Sequence, residues 1–393
     1  MRFIHTADWQ LGKPYARVSD TDKRAQLRIE RFNAIGRIGK VAREQGALFV
    51  AVAGDIFDSH QPTLADVSAA CSAIGAIKLP VLVIPGNHDH AGAGSVWKQN
   101  YFIEECKQLA PNLKVLIERE PFELKRLGLP GGVILPCPLL RKAEPIDPTA
   151  WLQDLNFSEW PGQPRIVLAH GSIQGFGGEV IDTDDENPPV ANNRIELTAL
   201  PRGEIDYVAL GDWHGIKQVA ANAWYSGCHE MDRFPRSADY RSGKVLVVNV
   251  LHGVPCEVFP VDTGLIRWQH LLHRFNSDED LDFLEERIRG AVGQRSNQDL
   301  MLLELKGSLS LNAAARLQEL LQRLEARLVR LKLRDDSKVA PDQAELSQLI
   351  NRTGDPLVAR VAQRLQDLIE QGVEEGELAR MALRELHHAC VRS

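Results

Sequence analysis

Short runs of apolar residues that stop abruptly at polar loops dominate the amino-terminal part of the chain. Arg2 to Thr6 reads as a strand that gives way to Asp8-Trp9-Gln10-Leu11-Gly12. Ala47 to Val52 is a continuous apolar run ending in Gly54-Asp55-Ile56-Phe57-Asp58, and Val81 to Ile84 is another, closed by Pro85-Gly86-Asn87-His88-Asp89-His90. Arg165 to Ala169 delivers His170-Gly171-Ser172, and Asp206 to Leu210 delivers Gly211-Asp212-Trp213-His214-Gly215. Continuous apolar runs mark strands buried on both faces, and the Gly and Pro punctuation fixes where they end. Between them, apolar spacing predicts helices over about Asp22 to Gln45, Leu64 to Ile77 and Trp97 to Leu109. In the first of these, Leu27, Phe32, Ile35, Ile38 and Val41 share one side. Further strands are expected at Lys114 to Ile117, Val133 to Leu135, Lys244 to Val250 and Cys256 to Val261. Strands alternating with helices predict an α/β layered core.

Beyond about residue 270 the pattern changes. Ser277, followed by Asp280 and then Leu281, Leu284 and Ile288, reads as a capped amphipathic helix. Leu300 to Leu305 reads as a strand, and Asn312 to Glu325 as a helix with Leu317, Leu320, Leu321 and Leu324 inward. Arg327 to Arg334 alternates, with Val329, Leu331 and Leu333 on one face and Arg330, Lys332 and Arg334 on the other. That basic face suits either phosphate contact or a solvated edge. Pro341 marks another boundary, and Asp355-Pro356 starts a helix with an N-cap and a proline in its first turn. Its stripe of Leu357, Val361, Leu365 and Leu368, joined by Val358 and Ile369, either folds back on the preceding unit or docks a partner's helices. The division expected is a core over 1–270, a small α/β unit over 271–340 and a helical segment over 341–393.

Composition narrows the class without naming a function. The 393 residues, 44% hydrophobic and 25% charged, describe an ordinary soluble globular protein. A formal net charge of -7 argues against indiscriminate coating of nucleic acid, while leaving room for a local basic patch. The six cysteines are scattered without a CxxC pair, which reads as reduced thiols of a cytoplasmic protein. The start, Met1-Arg2-Phe3-Ile4-His5, lacks a signal-peptide profile, and no apolar stretch approaches the ~20 residues needed to span a bilayer. No membrane association is expected.

The chemistry lies at the strand ends. Five of them present Asp8 with Gln10, Asp55, Asn87 with His88, His170, and Asp212 with His214. Any one is an ordinary turn, but all five fall at the carboxyl ends of strands, where open α/β sheets place their sites. Carboxylate, imidazole and amide donors without a thiolate suit divalent cations such as manganese, magnesium, iron or zinc. Two such cations sharing a carboxylate and a hydroxide activate a nucleophile and neutralise charge on a phosphoryl group, the two-metal route to phosphoester hydrolysis.

The order of these motifs resembles the calcineurin-like metallophosphoesterases, whose pattern is D-x-H, G-D-x-x-D, G-N-H-D/E, a later His, and G-H-x-H. The opening Phe3-Ile4-His5-Thr6-Ala7-Asp8-Trp9-Gln10-Leu11-Gly12 is similar to the SbcD branch, bacterial relatives of the meiotic recombination nuclease that works with an SMC-like ATPase. The resemblance covers roughly residues 1 to 265 and includes Tyr225-Ser226-Gly227, similar to the family's Tyr-Pro-Gly-Ser turn. It implies a four-layer β-sandwich flanked by helices, with a small α/β capping domain that helps to hold DNA and a helical tail. It further implies that Asp8, Gln10, Asp55 and His214 surround one metal, and that Asp55 bridges to a second completed by Asn87, His170 and Asp212. His88 would approach the scissile phosphate and stabilise or protonate the leaving oxygen, with Asp58 orienting it. Asp89 is expected to serve the turn. Two positions depart from the pattern: Gln10 stands where the family has histidine, and Asp212 where the first histidine of G-H-x-H belongs. The result is a harder, more negative donor set, which favours manganese, with magnesium, iron or zinc admissible.

The expectation that follows is a metal-dependent DNA nuclease, exonuclease or endonuclease, acting in DNA repair or end processing through a hydroxide held between two metals. DNA and an SMC-like ATPase subunit of SbcC type are the expected partners, and a homodimer is also admitted. A phosphoesterase for small phosphodiesters is one alternative, because the motifs specify the bond and not its flanks. A weakly catalytic or non-catalytic DNA- or ATPase-binding subunit is another, motivated by Gln10 and Asp212. Two smaller expectations concern loops and helix faces. The acidic loop from Gly177 to Asn193, with Asp182, Asp184, Asp185 and Glu186, is either a lid or a solvated loop, and Gly175-Phe176-Gly177-Gly178 opens no helix that would make it a phosphate loop. Arg24, Arg28, Arg31 and Lys40 suit phosphate contact or, more simply, a solvated helix face.

Overall fold

A computed structural model of the chain describes residues 1–173, 193–235, 240–295, 297–339, 343–352, 354–371 and 376–391. The acidic loop and the glycine run at 175–178 thus lie outside the described residues, apart from Asn193. The chain forms two compact units, Met1–Arg267 and Trp268–Ser393.

In the first unit the order is β1 (Arg2–Thr6), α1 (Thr21–Glu44), β2 (Val50–Val52), α2 (Leu64–Ile77), β3 (Val81–Val83), α3 (Asn100–Leu109) and β4 (Leu113–Val115). It continues through β5 (Phe122–Glu123), β6 (Val133–Cys137), β7 (Arg165–His170), β8 (Ser172–Ile173), β9 (Arg194–Ile195) and β10 (Tyr207–Gly211). β11 (Lys217–Ala220), β12 (Ala223–Tyr225), β13 (Lys244–Leu251) and β14 (Val254–Asp262) complete it. One six-stranded sheet has the order β14-β13-β1-β2-β3-β4 and the other β11-β12-β10-β7-β6-β5. β1 to β4 run parallel, while β13 pairs antiparallel with β1, Ile4 opposite Val247. β6, β7, β10 and β12 are likewise parallel.

Side-chain alternation turns these sheets into layers. Ile4, Val50, Val52, Val81 and Val83 point outward beneath Ile35, Ile38, Ile74 and Ile77 of α1 and α2. Phe3, Ala51 and Leu82 point the other way, into a core shared with Ile166, Leu168, Tyr207 and Ala209 of the second sheet. The outer face of that sheet, with Val167, Val208 and Leu210, is covered by Leu152, Phe157 and Trp160. Leu152 and Phe157 come from short 3-10 turns, Ala150–Asp154 and Phe157–Glu159, and Trp160 follows the second. Fully burying each such aliphatic or aromatic side chain is worth ~1.5–3 kcal/mol. Central strands buried on both faces therefore carry their carboxyl-terminal loops on a stiff frame, and β1, β2, β3, β7 and β10 each carry one motif.

Local signals set the helix limits. Asp20 caps α1, its carboxylate accepting from the Asp22 and Lys23 amides at 2.9 and 3.0 Å. Thr63 caps α2 through the Asp66 amide at 3.1 Å, and Lys78 ends it in a left-handed conformation. The helix expected from Trp97 begins later: residues 96–98 form a 3-10 turn and α3 starts at Asn100. Arg31 is neither solvated nor free for phosphate. It is buried on α1 and donates to the carbonyls of Trp9 and Asp8 at 2.8 and 3.1 Å, bracing the first motif loop. Arg28 pairs with Asp66 at 2.9 Å.

The second unit contains β15 (Arg267–Phe275), α4 (Asp280–Val292), β16 (Asp299–Leu309), α5 (Leu311–Arg327), β17 (Arg330–Val339), α6 (Gln343–Ile350), α7 (Pro356–Glu370) and α8 (Gly376–Val391). β16 lies between β15 and β17 and runs parallel to β17, with Leu302 opposite Lys332. Leu281, Leu284, Leu317 and Leu320 of α4 and α5 pack on Met301, Leu303 and Leu305 of β16. On the expected basic face, Arg334 pairs with Glu304 at 3.0 Å. The last three helices close over Leu311, Leu349, Ala362 and Leu383, joined by Val358, Leu365 and Ile369. The stripe of α7 is therefore rotated from the one expected: Leu357 and Val361 are exposed. The six cysteines are present as thiols, and no helix among the described residues is long and apolar enough to cross a membrane.

Candidate active site

Four of the motif residues sit on strained backbone. Asp8, Gln10, Asp55 and Asp212 all have positive φ, at 53°, 42°, 55° and 104°. Non-glycine residues rarely adopt this region, and it concentrates where the surrounding structure over-determines a functional loop. The loops are also pressed together. A Cβ on Gly54 would lie 2.3 Å from His170 Nδ1, and one on Gly86 2.1 Å from Asp55 Oδ1, so only glycine permits the approach. Asp89 accepts from the amides of Gly86 and Phe57 at 2.7 and 3.1 Å, tying the second and third loops to each other. Burial, reinforced by Asp55, pushes its carboxyl up to about 7.

The ligand atoms of Asp8, Asp55 and His170, all buried, lie within 4.8 Å of one another. Asp55 accepts from the His88 amide through Oδ1 at 2.9 Å, while its Oδ2 lies 3.6 Å from His170 Nε2. Asp8 accepts from the Asp212 amide at 3.1 and 3.2 Å, and an Asp212 oxygen stands 3.9 Å from His170 Nε2. Burial and the neighbouring charges of Asp55 and Asp212 raise Asp8 to about 8, even against the pull of His170. Asp212 is likewise raised, chiefly by desolvation.

His170 shows what this crowding demands. Its Nδ1–H donates to the Ala53 carbonyl at 2.8 Å, leaving Nε2 aimed into the cluster. Burial opposes a charge on the ring, but Asp55, Asp8 and Asp212 outweigh it and push His170 up to about 9. The Asn87 oxygen points at the same place, 2.9 Å from His170 Nε2 and 2.9 and 3.3 Å from the Asp55 oxygens. Turned over, the amide would donate to Asp55 and His170 instead. With its oxygen inward, the amide accepts from the Nε2–H of the protonated ring but meets the Asp55 oxygens acceptor to acceptor. That is a cation site by the chemistry of its donors, and metal binding would displace the proton. Asp8, Asp55 and His170 are the donors brought within range of one ion, with the Asn87 amide beside them and an Asp212 oxygen 3.9 Å from His170 Nε2.

The other half of the expected set is arranged differently. Gln10 Oε1 accepts from Lys13 Nζ at 2.7 Å, and its amide nitrogen lies 3.3 Å from His214 Nε2. His214 Nδ1 lies 2.7 Å from Asp232, which Arg233 and Lys13 hold well below the usual carboxylate range despite its burial. Asp232 accepts from Nδ1–H in the tautomer that leaves Nε2 its lone pair, while Arg233 Nη2, 2.8 Å from the same Nδ1, is a donor competing for that nitrogen. Burial and Arg233 lower His214 to about 4, which keeps the ring neutral. Cys228 completes a second buried group with His214 and Asp232. Burial pushes its thiol up, and the thiol donates toward Asp232 at 3.6 Å, so this group is the scaffold of His214 and not a thiolate site.

His88 is partly open to solvent, with 32% of its side chain exposed, and its Nε2 lies 4.0 Å from Asp55 Oδ2. The orienting bond comes from the main chain: Nδ1–H donates to the Asp58 carbonyl at 2.8 Å, not to the carboxylate expected from the sequence. Burial works against charging the ring, but Asp55 and the Asp58 carbonyl outweigh it and raise His88 above its ordinary value. His5 is packed, its ring nitrogens 3.0 Å from the Tyr207 hydroxyl and 3.2 Å from the Leu210 carbonyl.

The sequence profile of the calcineurin-like phosphoesterases matches residues 1–215, more than half of the chain. The chain belongs to that family. Among curated proteins, the D subunit of the nuclease SbcCD from Staphylococcus epidermidis is 25% identical over 230 residues, covering 54% of this chain and 57% of the relative. The protein of the same name from Bacillus subtilis is 30% identical over 94 residues, 23% of this chain and 22% of the relative. The chain therefore spans little more than half of the first relative's length. A crystal structure of TT1561 of Thermus thermophilus is similar with a TM-score of 0.37 and 12% identity, over 67% of this chain and 98% of that one.

For a calcineurin-like phosphoesterase, the residues that sequence reasoning missed are Lys13, Asp232 and Arg233. Lys13 was within reach, three residues after Gln10 on the same loop. Asp232 carries no comparable signal, because its contact with Lys13 spans 219 positions of sequence.

Proposed function

We propose that this chain is a metal-dependent phosphodiesterase that cleaves DNA in repair or end processing, with manganese as the favoured ion. The observation that carries this reading is the convergence of Asp8, Asp55, Asp212, Asn87 and His170 on one cation-seeking centre, with His88 beside it. When bound, divalent ions would supply a nucleophile from water and offset charge on the phosphoryl group. The protein's own part is to position and to move protons. Asp55 spans the centre with its two oxygens, and the Asp58 carbonyl fixes Nδ1–H of His88, leaving Nε2 as the atom that gives a proton to the departing oxygen. The two relatives are each named as a subunit of a nuclease, which supports a nucleic-acid substrate and a second subunit; DNA, an SMC-like ATPase of SbcC type as that partner and a cytoplasmic setting complete the proposal.

The test compares single-stranded DNA, duplex ends, hairpins and an aryl phosphodiester, each with manganese, magnesium, iron or zinc. Manganese-supported DNA cleavage that a chelator stops and added manganese restores is the expected result. Turnover of the aryl ester alone would contradict the choice of DNA. Metal binding without hydrolysis of any substrate would replace an enzyme with a binding subunit.

A further inference from the structure

The two halves of the centre answer their charge in opposite ways. Around Asp55, Asn87 and His170, the Asn87 oxygen faces the Asp55 oxygens, and the group lying against the Asp55 carboxylate is the His170 ring. At Gln10 and His214 every polar atom already has a partner. Lys13 Nζ donates to Gln10 Oε1 at 2.7 Å and reaches Asp232 at 3.2 Å, and the Gln10 amide nitrogen faces His214 Nε2 at 3.3 Å. The oxygen that Gln10 would offer a metal is engaged, and the His214 lone pair that would bind one accepts a hydrogen bond instead.

The loop builds this contact into its turn. The Lys13 amide donates to the Gln10 carbonyl at 3.2 Å, and Gly12 between them has a φ of 88°, so the chain folds back and brings the ammonium over the Gln10 amide. Asp232, buried and ionised, anchors the other side of that ammonium. A histidine at position 10 would offer no carbonyl oxygen to hold Lys13. The lysine and the glutamine thus form one device.

Resting on the metal-dependent reading above, we infer that Lys13 competes with the cation for the subsite of Asp8, Gln10, Asp55 and His214. The subsite of Asp55, Asn87, His170 and Asp212 fills first and tightly. The Gln10 subsite fills second, when a metal displaces the ammonium and the Gln10 amide turns its oxygen inward. Occupancy by one ion or two then follows the free metal concentration.

Manganese titration of the metal-stripped full chain, followed by calorimetry and electron paramagnetic resonance, tests this. Two steps separated by at least tenfold in Kd are expected, with an isolated-ion spectrum after the first and an exchange-coupled spectrum after the second. Lys13→Met keeps the alkyl stem and removes the charge, and should tighten the second step about tenfold while leaving the first within twofold. Gln10→His, which leaves Lys13 in place, should also tighten the second step. Two steps of equal affinity in the parent, or a Lys13→Met titration that matches it, would overturn the inference while leaving the metal centre intact. No manganese bound at all would instead contradict the metal-dependent reading itself.

Discussion

Asp55→Ala is expected to lower metal-dependent phosphodiester cleavage by about three orders of magnitude or more, the several kcal/mol that metal-assisted charge stabilisation supplies. The two oxygens of Asp55 face different motif groups, Oδ1 the His88 amide and Oδ2 His170 Nε2. Its removal costs the shared donor and loosens the loop that carries His88. The fold should survive. Asp55 lies among Asp8 and Asp212, and burial together with like charge already raises both neighbours. Deleting one of three crowded carboxylates relieves their repulsion but also removes a counter-charge of the buried His170 ring, so the melting temperature of the metal-free variant should lie close to that of the parent. Steady-state cleavage and a thermal melt on the same preparation check both halves. A variant that melts normally and cleaves like the parent would remove Asp55 from the chemistry.

His88→Ala is expected to cost about 10²- to 10⁴-fold on DNA, the usual range for a positioned acid or base. The loss should depend on the leaving group. A DNA alkoxide needs a proton as it departs, whereas an acidic phenolate does not, so an aryl phosphodiester should lose roughly tenfold or less. Measuring kcat/KM for both substrates on one variant separates proton donation from positioning. Equal losses on both would mean that His88 places the phosphate and does not protonate the leaving oxygen. Because the bond that holds His88 comes from the Asp58 carbonyl, the orientation of the ring does not depend on the Asp58 side chain.

The parts of this centre that were legible in the sequence share a cause. A buried strand leaves a continuous apolar signature, and its end is marked where Gly, Asp or Asn takes over, so Asp8, Asp55, Asn87, His170 and Asp212 are found by their places after β1, β2, β3, β7 and β10. The strands β5, β8 and β9 are two residues each and leave no such mark. β15 was missed for another reason: Arg267-Trp268-Gln269-His270-Leu271-Leu272-His273-Arg274-Phe275 places Leu271 and Leu272 side by side, which hides the alternation that turns Leu271, His273 and Phe275 inward. In α7 the apolar arc is wider than one face, and only its packing partners decide that Ala362 turns inward and Leu357 outward. At the centre itself, Asp232 and Arg233 reach His214 through the tertiary fold, and the orientation of the Gln10 amide is set by Lys13. Residue identity alone gives Gln10 as a weaker metal donor. The contact with Lys13 is what makes the two subsites unequal.

The most direct test of the centre is anomalous scattering from crystals of the full chain soaked in manganese. The expected result is an anomalous peak within about 2.0–2.3 Å of oxygen or nitrogen atoms of Asp55, Asn87, His170 and Asp212, the ordinary range for such ligands. A second peak near Asp8 and His214 should grow only at higher manganese. Well-ordered parent crystals with the Asn87 amide turned over, donating to Asp55 and His170, and with no peak among these side chains at any manganese concentration would contradict the account.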